Sequence, residues 1–94
     1  MSFSKITIPA QGSFLEFNIT LNNVNYRFQL QWSLGGGYFR VNIYDRDTLL
    51  SGGQGLHPEM DLFRYIDNGS LKLVGAQPTP ENIGIDNYLV YEIQ

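Results

Sequence analysis

The sequence predicts an all-β fold, a small antiparallel β-sandwich or partly open β-barrel of about seven strands in one domain over residues 1–94. Three observations carry that expectation. Apolar side chains recur at every second position rather than every 3.6, glycine and asparagine turns punctuate the runs at short intervals, and the runs hold most of the aromatic residues.

The elements follow in chain order. Residues 3–8 alternate Ile6 and Ile8 with Lys5 and Thr7. Pro9 stops the run because it cannot donate to a central ladder, so the first strand is expected near a sheet edge. After Gly12, Leu15, Phe17, Ile19 and Leu21 share one face of a second strand, and Glu16, Asn18 and Thr20 the other. Asn22-Asn23 tolerates positive φ and makes a tight turn into the third strand. There Val24, Tyr26, Phe28, Leu30 and Trp32 alternate with Asn25, Arg27, Gln29 and Gln31. Gly35-Gly36-Gly37 turns the chain again, and Phe39, Val41 and Ile43 oppose Tyr38, Arg40, Asn42 and Tyr44 on a fourth strand. Strands two to four therefore form a meander with one buried face.

Asp45-Arg46-Asp47 reads as the next turn, and residues 48–51 as a short strand ended by Gly52-Gly53-Gln54-Gly55. The alternation is lost over residues 56–66, an ordered loop in which Pro58 starts one helical turn and Phe63, Tyr65 and Ile66 anchor the segment to the core. Asn68-Gly69 marks a hairpin turn into a strand that carries Leu71 and Leu73 to Gly75. Residues 77–80 are held extended by their prolines, residues 81–85 turn, and residues 87–93 form a last strand with Leu89, Tyr91 and Ile93 on one side.

Composition narrows the function. With 43% hydrophobic residues, six Phe and six Tyr among 94 residues, the chain can build a real core. A domain this small hides only roughly 60–65% of its unfolded surface, so a monomer is expected to be modestly stable, and its stability comes from packing, a partner or oligomerisation. The absence of cysteine excludes disulfides, thiolate metal sites and cysteine nucleophiles. A net charge of −3 with scattered acidic groups disfavours a nucleic-acid backbone, which needs clustered Lys and Arg. No basic segment followed by an apolar run opens the sequence, and no run approaches the ~18 apolar residues of a membrane span, so synthesis in the cytoplasm and no membrane partner are expected. The triplets Asn18-Ile19-Thr20 and Asn68-Gly69-Ser70 then lack the secretory context that glycosylation requires.

Candidate sites are few. Gly35-Gly36-Gly37 lacks the Lys-Ser/Thr and the following helix of a phosphate loop. His57 is the single histidine, too little for zinc, and Asp45 with Asp47 suits turn capping better than an incomplete calcium loop. No serine lies in a nucleophile elbow, nothing selects a catalytic pair among Glu59, Asp61, Asp67 and Asp86, and no enzyme activity or cofactor is expected. The surface that stands out is Tyr38, Arg40, Asn42 and Tyr44 beside Arg27, Gln29 and Gln31, opposite the core face. Tyr, Arg and amide groups there serve a protein interface, plain solvated packing, or a small β-module that stacks a sugar or single-stranded nucleic acid.

The strings 26–32 (Tyr-Arg-Phe-Gln-Leu-Gln-Trp), 38–45 after the glycine turn, and 78–91, with its Pro-containing turn and Ile-Gly pair before a strand, resemble the small baseplate plug proteins of contractile-tailed bacteriophages. Residues 55–63 are similar to the loop of those proteins, so the resemblance covers nearly the whole chain in order. The run of three glycines is longer than that pattern leads one to expect. The resemblance implies a non-enzymatic all-β tail component in the virion baseplate, assembled in the bacterial host cytoplasm. It would plug the baseplate centre against hub and spike proteins, as a homo-oligomer on the tail axis. It carries no catalytic or cofactor residues, and its matched positions Trp32, Gly36, Phe39 and Leu89 read as fold determinants.

Overall fold

The computed structural model describes residues 2–9 and 12–93. Seven strands form two antiparallel sheets: β1 (Ser2–Ile6), β2 (Phe14–Leu21), β3 (Val24–Ser33), β4 (Tyr38–Asp45), β5 (Thr48–Gly55), β6 (Ser70–Gly75) and β7 (Asn87–Ile93). The larger sheet is the meander β2-β3-β4-β5, and the smaller has the order β1-β7-β6, so the sheets do not close into a barrel. The first strand lies at a sheet edge, paired with β7. No helix occurs among the described residues.

The alternation predicts the buried face well. Leu15, Phe17, Tyr26, Phe28, Leu30, Phe39, Val41 and Ile43 of the large sheet pack with Leu71, Leu73, Leu89 and Tyr91 of the small one. Trp32 departs from the pattern. It is half-buried at the end of β3 and meets Phe39 edge-on, with ring centroids 5.1 Å apart. Asn22 and Asn23 take φ of 50° and 68°, so the two-residue turn fixes the β2–β3 register from Leu21 opposite Val24 to Phe14 opposite Gln31.

Four local expectations are corrected. The glycines at 52 and 53 do not end the fifth strand but lie inside it, where its register with β4 shifts on either side of Ile43, and the strand runs on to end at Gly55. Gly53 adopts φ of 71° at this bulge and donates its N–H to Asn42 Oδ1 at 2.9 Å, a conformation glycine supplies without strain. Pro58 starts no helical turn. Glu59 has φ of 68° and donates its N–H to Leu73 O at 2.8 Å, while Pro58 and Asp61 make isolated bridges to β6. Residues 56–66 therefore satisfy their backbone partly on the edge of the small sheet rather than within themselves. Of the three predicted anchors, Phe63 is buried and Ile66 half-buried, but Tyr65 is 78% exposed.

Asn68-Gly69 is not a hairpin turn either, because β6 pairs with β7 and the preceding strand, β5, lies in the other sheet. Asn68 instead joins the two sheets. Its Nδ2 donates to Tyr26 OH at 2.6 Å and to Leu21 O at 3.3 Å, and its Oδ1 accepts from Asn22 Nδ2 at 3.0 Å. The Tyr91 hydroxyl lies 2.9 Å from Asn68 O and 3.0 Å from Oδ1.

Burial, with the neighbouring Tyr26 phenol adding to it, raises the Tyr91 pKa above its ordinary 10.0. The folded state thus holds this proton more tightly than the unfolded chain. The resulting stability is present below pH 10.0 and is lost as pH rises through the folded value. Chemical denaturation between pH 9 and 11.5 is therefore expected to show stability falling more steeply in the natural chain than in Tyr91→Phe (pH values about these, chosen to bracket tyrosine ionisation). Parallel slopes would show that Tyr91 does not drive the alkaline loss.

Candidate protein-contact face

The outer face of the large sheet follows from the register. With β2 and β3 joined by two residues and β3 and β4 by four, the outward side chains line up in cross-strand rows. One row runs Asn18, Arg27, Tyr44 and Leu49, the next Glu16, Gln29 and Asn42, and a third Phe14, Gln31, Arg40 and Gly55.

Within these rows the structure brings four of the candidate residues together in pairs. The Arg27 guanidinium carbon lies 4.4 Å from the centre of the Tyr44 ring, a cation–π contact. Gln29 faces Asn42 and donates to Glu16 Oε2 at 2.7 Å, while Asn42 is engaged by the β5 bulge. Arg40 is exposed on the third row, whose β2 member, Phe14, is 58% exposed on the far side of Gln31.

Tyr38 stands apart. Its ring lies 5.5 Å from that of His57, and a Cβ added at Gly36 would fall 2.2 Å from Tyr38 Cε1. Gly36 thus makes room for this aromatic ring, which answers why the loop needs a glycine there. Tyr38 and Tyr44 are six residues apart on one strand, about 20 Å. They do not form one stacking platform for a sugar or base, since each packs with a different neighbour, His57 and Arg27. Of the four positions read as fold determinants, Phe39 and Leu89 lie in the core, Trp32 is half-buried and Gly36 sits in the exposed turn.

Sequence reasoning put Glu16 and Asn18 opposite the core face of β2 but did not join them, or Phe14, to the candidate surface. The signal was available: a two-residue turn at Asn22-Asn23 places Asn18 opposite Arg27 and Glu16 opposite Gln29. Among the described residues no group of three or more His, Asp or Glu could hold a metal ion. No helix among them is long and apolar enough to cross a membrane.

These features define a class, a small two-sheet antiparallel β protein that presents a polar, arginine- and tyrosine-bearing sheet face. Residues 4–94 match the family model described as cyanophage baseplate Pam3 plug gp18. The chain belongs to this family of phage baseplate plugs, structural proteins of the virion tail that associate with other tail proteins. A comparison with curated proteins gives no match.

Proposed function

We propose that the chain acts as one non-enzymatic domain that plugs the centre of a contractile-tail baseplate. In this reading it contacts hub and spike proteins, sits as a homo-oligomer on the tail axis, and is present in the host cytoplasm during assembly. It uses no cofactor, nucleic acid or membrane. The observation that carries the reading is the family match over 4–94. The outer sheet face supports it, since exposed Phe14 and Arg40 and half-buried Tyr44 are the residue types that protein interfaces favour.

Arg40 is exposed and Tyr38 packs against one histidine ring, so Arg40→Ala and Tyr38→Ala are expected to keep the isolated fold, losing no more than about 1 kcal/mol. Both are expected to lower incorporation into baseplates, measured against co-expressed natural chain. Normal incorporation of both would remove this face from the proposal.

A further inference from the structure

We propose that the shallow depression on the outer face lined by Asn18, Asn25, Arg27 and Arg46 receives a carboxylate of a partner protein, an Asp or Glu side chain of another tail component. The inference rests on the reading of this face as a protein contact and names the chemistry it selects. Two of the six cations of an acidic chain line this one depression, with two amides and no carboxylate among its lining residues. A carboxylate there meets two planar, forked donors, and the amides can donate to its remaining lone pairs.

Arg27 is held before a partner arrives, and the backbone that carries Arg46 is set by its turn. Arg27 stands between Asn18 and Tyr44 in its row and lies over the Tyr44 ring. Its Nε is buried and makes no hydrogen bond, so part of its hydration is already lost and the cost of docking a charged group is smaller. Arg46 occupies the left-handed region, φ of 58°, in the turn between β4 and β5, which fixes where its side chain leaves the backbone.

The same geometry argues against a nucleic-acid strand. Glu16 occupies the next row, and no cation besides Arg27 and Arg46 lines the depression, so a polyphosphate strand finds no continuing track of positive charge.

The test is a titration of the full-length, 15N-labelled chain at low salt with a blocked tetraglutamate peptide, read on the Arg27 Nε–Hε signal. A saturable shift is expected, with none from tetraglutamine. Arg46→Asn, which tolerates the left-handed turn, is expected to weaken binding about tenfold by removing one charge-assisted contact. Arg27→Lys, read on the Asn18 and Asn25 side-chain amides, is expected to weaken it similarly because the ammonium cannot reproduce the fork. No shift with tetraglutamate, or unchanged affinity in both variants, overturns the site. Tighter saturable binding of single-stranded oligothymidylate overturns the assignment to protein. Failure here leaves the plug reading standing, whereas absence of the natural chain from purified tails removes that reading and leaves the titration result intact.

Discussion

Phe63→Ala is expected to destabilise the fold by about 3–5 kcal/mol, the range for deleting a buried phenyl ring. Phe63 comes from no strand, yet its ring contacts three aromatic rings of both sheets: Tyr26 at 5.0 Å, Phe28 at 6.5 Å and Tyr91 at 6.1 Å between centroids. It is only 1% exposed. The residues around it are fixed to β6 by Asp61, whose Oδ1 accepts from Phe63 N at 2.9 Å and Leu71 N at 3.0 Å. That attachment leaves the site little freedom to collapse around a missing ring. For a domain of this size the loss corresponds to a fall in melting temperature of about 15 °C or more. A fall of less than about 5 °C would mean that the 56–66 segment is not seated on the core as described.

Asn68→Ala is expected to cost about 1–3 kcal/mol, since it leaves the buried Tyr26 hydroxyl without a partner supplied by the fold and removes the Nδ2 contact to Leu21 O. The magnitude comes from an unmet buried polar group rather than from lost apolar area. Its signature is therefore a coupling. In Tyr26→Phe background the same Asn68→Ala change is expected to cost at least about 1 kcal/mol less, because the hydroxyl it strands is already gone. Additive losses in urea denaturation would show that Asn68 does not act through Tyr26.

The contrast between these two residues explains what the sequence made legible. Alternation identifies the buried face wherever a regular strand exists, as at Phe39, Val41 and Ile43, because a strand's side-chain period is fixed by its backbone. Residues 56–69 have no such period. Phe63 is recognisable there as an apolar anchor, but exposed Tyr65, two positions on, looks equally qualified, since only the turns around it decide which ring points inward. Asn68 resembles a turn residue or a glycosylation acceptor in sequence. Its role depends on Tyr26 and Tyr91, which lie 42 and 23 residues away. The glycines of β5 mislead in the other direction: a local rule says strand end, and cross-strand register makes them a bulge.

The contact face is legible to the same degree. The parity of β3 and β4 places Arg27, Gln29, Arg40, Asn42 and Tyr44 outward, and the register pairs Arg27 with Tyr44. Where the chain turns, parity stops being informative. Arg46 shares a depression with Arg27 only through the left-handed turn that follows β4, and Tyr38 leaves the others for His57 because Gly36 gives its ring space.

The measurement that tests the central claim most directly is quantitative mass spectrometry of purified tail particles. The account predicts the chain in intact particles at a small fixed ratio to the tube and spike proteins. Its absence from particles, in cells where it is expressed and tails assemble, would contradict the account.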